Sequence, residues 1–252
     1  MDPFGDLTRA LTAAPVLGEG ATQPDLAREE RKGVPEVVLA ESKSDEHLLA
    51  AVRAFLEGRG RAIVSRVRPE QGALLRAAFA DSQVEAHGRG RTLVLRAPGW
   101  QAPPPGGRVA VITAGTSDVP VAEEAAVVAR EMGCEIWSAY DVGVAGIHRL
   151  FGPLREMVER SVDVVIVAAG MDGALPSVVA GLVDVPVIGL PVSVGYGLGG
   201  GGLAALMSML QTCAPGLTVV NIDNGVGAGA TAGLLARRVA EARGELPSRQ
   251  RS

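Results

Sequence analysis

Lysine is nearly missing from this chain of 252 residues: Lys32 and Lys43 are its only two, and arginine supplies the rest of the 24 basic side chains. A Walker-type phosphate loop needs a lysine after its glycines, and none follows residue 43, so that device is excluded. Aromatic residues make up only 3%, too few for the stacking platforms of single-strand binders, and the net charge of −4 offers no footprint for nucleic acid. Two cysteines can form neither a disulfide framework nor a cysteine-based zinc site. A secretory leader is not expected, because Asp2, Asp6 and Glu19 interrupt both a basic start and an apolar run. A reducing, cytoplasmic setting is expected.

Charge itself is absent from one long stretch. Residues 161–236 hold no Lys or Arg, and from Val185 to Ile222 nothing is charged. That run exceeds the ~20 residues of a spanning helix. Pro186, Pro191, the glycines at 199–202 and Pro215 break it, however, into short strands and loops. A sheet covered on both faces is expected, and no membrane span.

What is present describes a globular protein of one or two domains, 47% apolar and 21% charged. Residues 1–23 are aperiodic and rich in Pro, Gly, Ala and Thr, which reads as a mobile tail. Residues 24–97 read as a small α/β domain, with helices over 25–32, 45–57 and 69–80 and strands over 61–67 and 92–96; Ser44 or Asp45 would cap the second helix. A Pro/Gly linker covers 98–107. The charge balance shifts there, from 15 basic and 14 acidic residues up to Arg108 to 9 and 14 beyond it.

Residues 108–252 alternate regularly. Strands are expected over 109–113, 134–140, 163–168, 186–192 and 217–222, with helices over 119–132, 150–160, 174–183, 203–211 and 228–243. This pattern implies an α/β fold with a doubly wound, five-stranded parallel sheet. Such sheets bind ligands beyond the carboxyl ends of their strands. Five loops fall there: Ala114–Asp118, Asp141–Arg149, Ala169–Ser177, Val192–Gly199 and Asp223–Gly229.

The loops carry specific chemistry. Gly115 permits close backbone approach, Thr116 and Ser117 offer hydroxyls, and the following helix offers free N–H groups for a phosphate; the plainer reading is a helix cap by Ser117 or Asp118. His148 can shuttle a proton and Arg149 can clamp an anion, or the two form an ordinary surface pair. Asp172, the lone charge in an apolar, glycine-rich loop, is placed for desolvation to make it a base, or it stabilises a turn. Gly195, Gly197 and Gly200 match a dinucleotide fingerprint with Asp223 downstream, but they follow the fourth strand instead of opening the unit. Cys134 reads as core. Cys213 follows a helix C-terminus, which disfavours a thiolate, so any nucleophilic role needs activation from elsewhere, such as a cationic substrate ring.

Taken together, Thr113–Ala125, Asp141–Arg149, Ala169–Ser177, Ser193–Gly197 and Asn221–Gly225 resemble the LarB family, as do Asp25–Arg28, Gly33–Val38 and Lys43. The second domain more distantly resembles the PurE family of aminoimidazole ribonucleotide carboxylases and mutases. The resemblance implies a flavodoxin-like fold, a homo-oligomer (an octamer or another dimer-based assembly), and a pyridinium-3,5-biscarboxylic acid mononucleotide synthase. Such an enzyme carboxylates nicotinic acid adenine dinucleotide at ring carbon 5, using carbon dioxide or bicarbonate, and releases AMP. Its product feeds nickel-pincer cofactor biosynthesis and lactate racemase maturation.

By the same resemblance Cys213 is the covalent nucleophile and Asp172 the base. Ser117, Asp118, His148 and Arg149 would bind phosphate or carbon dioxide. Gly115, Thr116, Gly170, Met171, Ser193, Gly195, Tyr196, Gly197, Asp223, Asn224 and Gly225 would line the substrate site. Magnesium would assist anhydride hydrolysis, with no ligand set legible. Three positions depart from the family pattern: Asp172 for Glu, Val192 for Thr and Val226 for Phe. The competing readings are a PurE-like enzyme acting on a purine-pathway ribonucleotide, a non-catalytic nucleotide-binding oligomer, and a dehydrogenase.

Overall fold

The structure is a computed structural model that describes residues 24–247, so the tail expected over 1–23 lies outside the described residues. The chain forms two compact units that divide between Gln101 and Ala102.

The first unit opens with a short helix α1 (Arg28–Lys32), followed by β1 (Val37–Leu39), α2 (Asp45–Arg59), β2 (Arg61–Ser65), α3 (Pro69–Ala78), β3 (Gln83–His87) and β4 (Thr92–Arg96). Its mixed sheet runs β1-β2-β4-β3, with β1 parallel to β2 and the other two pairs antiparallel. Ser44 caps α2 as expected, its Oγ accepting the His47 N–H at 3.3 Å. Leu48, Val52 and Phe55 on α2 pack with Leu75 of α3 against Val38, Val64, Leu93 and Leu95. Two strands were not anticipated. β1 is three residues long and takes its register from a partner about 26 positions further on. β3 is an edge strand, Gln-Val-Glu-Ala-His, half exposed along its length and without an apolar run. Trp100 lies against this unit, 5.3 Å and 5.1 Å from the guanidinium carbons of Arg61 and Arg96.

The second unit comprises β5 (Arg108–Thr113), α4 (Val119–Glu131), β6 (Glu135–Ala139), α5 (His148–Glu159), β7 (Val164–Ala169), α6 (Leu175–Ala180), β8 (Val187–Pro191), α7 (Leu203–Leu210), β9 (Leu217–Val219) and α8 (Gly225–Ala242). Its five strands are all parallel in the order β6-β5-β7-β8-β9, which is the flavodoxin-like doubly wound arrangement. One face packs on α4 and α8, the other on α5, α6 and α7. The uncharged run is thereby explained: β7 and β8 are buried at every residue, with helices on both faces. No helix among the described residues is long and apolar enough to cross a membrane.

Small residues set the spacing of the α4–α8 pair. Ala122, Ala125, Ala126 and Ala129 face Ala228, Ala232 and Ala236. A Cβ on Gly229 would run into the Ala125 carbonyl, so only glycine permits the contact. At the amino edge, Asp163 closes the unit. Its carboxylate accepts the Arg108 N–H at 2.7 Å and two guanidinium N–H groups of Arg243 at 2.7 Å and 3.0 Å.

Candidate active site

The five loops meet at the carboxyl edge of the second sheet, and backbone N–H groups stitch them to side-chain oxygens. Thr113, the last residue of β5, accepts the Asp141 N–H on Oγ1 at 3.1 Å and the Val142 N–H on its carbonyl at 3.0 Å, joining the first and second loops. Asp118 joins the first and third: Oδ2 accepts the Gly115 N–H at 2.8 Å and Oδ1 the Gly170 N–H at 3.2 Å. Asp223 joins the fifth and fourth, its Oδ1 accepting the Ser193 N–H at 2.9 Å. Glu124 of α4 accepts the Val226 N–H at 3.2 Å and holds the start of α8. Gly225 must be glycine there, since a Cβ would collide with the Glu124 carboxylate and the Val121 carbonyl. Asn224 caps α8, accepting the Gly227 N–H at 2.8 Å.

Several of the expected site residues also hold the loops together. Asp118 is 3% exposed and makes no side-chain cap bond to its own helix, so the cap reading does not hold for it. Burial pushes its carboxyl above the usual range, and the two glycine N–H groups oppose that. Asp223 and Asn224 likewise direct oxygens at backbone N–H groups. Sequence reasoning did not single out Thr113 or Glu124, although both lie inside the Thr113–Ala125 run; a buried hydroxyl and a buried carboxylate beside a ligand loop were the available signal.

Other residues do face solvent at this edge. Thr116, Ser117, His148, Arg149, Met171, Asp172, Gly195, Tyr196 and Gly197 are exposed, and Ser193 is half-buried. Gly115 is half-buried as well, and Gly170 is buried. The Arg149 guanidinium folds back on its own loop, donating to the Asp141 carbonyl at 2.6 Å and the Ala145 carbonyl at 3.1 Å, with the Asp141 carboxylate 3.2 Å away. The desolvation expected for Asp172 is corrected: the carboxylate is exposed, and its Oδ1 accepts the Ala174 N–H at 3.3 Å as a turn stabiliser.

Cys213 lies elsewhere. The chain leaves the carboxyl edge after β8, runs back along α7, and passes Cys213 before the Gly216 carbonyl accepts the Val187 N–H at the start of β8. Eight residues of α7 advance about 12 Å. Within one chain the exposed Cys213 thiol is thus at the amino edge, opposite Asp172 and the other loops. Cys134 is buried as expected, and burial raises its thiol to about 12. Among the described residues, no group of three or more His, Cys, Asp or Glu side chains is placed to hold a metal ion.

Comparison with known proteins identifies this architecture. The AIR carboxylase family model matches residues 108–249, so the second unit has an AIR carboxylase-like fold, the fold of a carboxylase-type enzyme class. The LarB/PurE-like N-terminal domain matches residues 17–97. With both matches in this order, the chain belongs to the LarB family. An uncharacterized protein of Methanocaldococcus jannaschii is 42% identical over 216 residues, covering 84% of this chain and 83% of its own. N5-carboxyaminoimidazole ribonucleotide mutases are also similar. That of M. jannaschii is 36% identical over 52% of this chain and 77% of its own, and that of Thermotoga maritima 33% identical over 48% and 70%.

Proposed function

We propose that this protein carboxylates the pyridinium ring of nicotinic acid adenine dinucleotide at carbon 5 and hydrolyses the phosphoanhydride, giving pyridinium-3,5-biscarboxylic acid mononucleotide and AMP. The observation that carries the reading is the exposed Cys213 thiol in a chain of AIR carboxylase-like fold that also has the LarB-type first domain. A pyridinium ring is electron-poor and does not attack carbon dioxide. Addition of the Cys213 thiolate at carbon 4 turns the ring into an enamine-like dihydropyridine whose carbon 5 is nucleophilic. Carbon 5 then bonds to carbon dioxide. A base removes its proton, the thiolate leaves carbon 4, and the aromatic cation is restored. Asp172 is the base in this reading; its carboxylate is open to the site but one methylene shorter than Glu, so a bridging water completes its reach.

Thr116, Ser117, His148 and Arg149 supply donors for the phosphates and the incoming carboxylate. Magnesium bound to the substrate diphosphate would neutralise charge during anhydride hydrolysis. The free thiols and the dinucleotide substrate suit the cytoplasm.

Asp172 and Cys213 occupy opposite sheet edges, so this chemistry needs a second copy of the chain. Leu203, Met207 and Leu210 on one side of α7 are about three-fifths exposed, next to exposed Tyr196 and Leu198, in a segment without a charge from Val185 to Ile222. An uncharged apolar face of this kind suits a matching face on another copy, which would deliver its Cys213 to the loops.

Incubating the protein with the dinucleotide, bicarbonate and magnesium, followed by mass spectrometry beside Cys213→Ala, tests the reading. A carboxylated mononucleotide and AMP, absent with Cys213→Ala, are expected. The mutase relatives motivate a second reading, a reaction on an aminoimidazole ribonucleotide. Turnover of that ribonucleotide by both proteins, with the dinucleotide left intact, would establish it instead.

A further inference from the structure

We infer that the first unit holds an anion site of its own, at the sheet edge where Lys43, Arg66, Arg68, Arg89 and Arg91 converge, and that it takes a diphosphate group, free or carried by a nucleotide. The inference is independent of the carboxylase reading above, which draws all its residues from the second unit.

Three loops of the first unit meet at one edge of its sheet. β1 and β2 run parallel with Leu39 beside Ser65, so the loops over 40–44 and 66–68 leave from the same edge. β4 runs antiparallel to β2 and pairs Thr92 with Ser65, which brings the β3–β4 turn over 88–91 to that edge as well. Backbone hydrogen bonds hold the three together. The Ala40 N–H donates to the Ser65 carbonyl and the Val67 N–H to the Arg91 carbonyl, both at 2.9 Å. Gln71, 1% exposed, fixes the first loop by donating to the Ala40 carbonyl at 3.1 Å and the Lys43 carbonyl at 3.4 Å.

These loops carry five cations and a single carboxylate, Glu41. Glu41 is already engaged: Arg66 lies 3.4 Å from its carboxylate, and Arg68 donates to its carbonyl at 3.1 Å. Among the described residues no carboxylate pairs with Lys43, Arg68, Arg89 or Arg91. Asp45, Glu46 and Glu70 stand in the first turns of α2 and α3, where the helix ends favour them. The opposite edge is different, since Arg59, Arg61 and Arg96 each have a carboxylate within 2.8 Å. Arg68, Arg89 and Arg91 are exposed. Arg89, between Gly88 and Gly90, holds a φ of 59°, so the turn presents a cation in the left-handed conformation that favours glycine.

Guanidinium forks match phosphate oxygens in pairs, and several unpaired cations suit a multiply charged anion better than a lone carboxylate. No aromatic residue lies on the three loops, so nothing there stacks on a base. The site therefore recognises the phosphates alone, and a nucleotide held there keeps its base in solvent.

Two measurements on the full chain at about 0.15 M salt test this: calorimetric titration with inorganic diphosphate, ADP and AMP, and residue-resolved hydrogen exchange with inorganic diphosphate. Diphosphate should slow exchange of the amides over 66–68 and 88–91 by about threefold or more. Diphosphate and ADP should bind within about threefold of each other, and AMP about tenfold more weakly. The doubly substituted chain Arg89→Asn, Arg91→Gln removes two cations while asparagine tolerates the left-handed backbone. It should lose that protection and weaken binding at this edge by about tenfold or more, with any protection of the second unit unchanged. Absent protection at this edge in the unmodified protein would overturn the inference whether or not the variant folds. So would protection that survives in the variant, AMP bound as tightly as diphosphate, or a short single-stranded RNA bound here in preference to diphosphate, which would assign the edge to nucleic acid. Failure to turn over the dinucleotide would sink the carboxylase reading and leave these outcomes untouched.

Discussion

A thiol reagent will separate the two cysteines. Cys213 is exposed and Cys134 is buried with its thiol raised to about 12, so one equivalent of reagent should react promptly and the second only on unfolding. The same burial has a pH signature. A folded pKa above the ordinary 9.0 means that Cys134 favours the folded chain below pH 9 and loses that contribution as pH climbs towards 12. Asp172 can be tested by length and by charge. If it is the base, Asp172→Asn should lower turnover by about 10²- to 10⁴-fold, while Asp172→Glu, with its longer reach, should raise it severalfold. Asp172→Glu activity below that of the parent would mean the exposed turn places the shorter carboxylate correctly as it stands.

At the scale of elements, carboxylates perform a structural job repeatedly. Asp118, Glu124, Asp163 and Asp223 each accept a backbone N–H from a neighbouring loop or strand. Asp163 is the clearest, since its partner Arg243 lies just past the end of α8 and ties that helix to β7 and β5. Arg243→Ala should leave the Asp163 carboxylate with the Arg108 N–H alone and destabilise the chain by about 2 kcal/mol. Urea denaturation should show the midpoint lowered at constant slope. The element types were legible before the structure because the second unit alternates apolar strands with helices at short spacing; β5 and β7 came within one residue at each end. The two strands that escaped, β1 and β3, are short or at an edge, where a partner strand and not the local pattern decides.

For the whole molecule the question is how Asp172 and Cys213 meet. If a second copy supplies the thiol, Asp172→Asn and Cys213→Ala chains, each inactive alone, should recover activity when mixed and allowed to exchange subunits. Random mixing leaves about one quarter of sites with both side chains intact. Recovery near that level would establish a shared site, and none would mean that each site draws both residues from one chain. Replacing Met207 with a charged residue should impair both assembly and activity, read by light scattering and turnover, because it buries a charge in an apolar interface.

The sequence alone determined the alternation of strands and helices, the uncharged and doubly covered core, the five loops at one sheet edge and the family resemblance. Each of these depends on local periodicity or on contiguous motifs. Only the tertiary structure decided which side chains in those motifs are engaged by backbone N–H groups of other loops and which stay exposed. Asp118 and Asp223 carry the same carboxylate as Asp172, yet the first two direct oxygens at N–H groups from other loops while the third is exposed at the site's edge. Nor could the motif around Cys213 show which end of the sheet it occupies. That depends on the direction in which α7 returns, because parallel strands place the start of each strand and the loop after it at opposite edges.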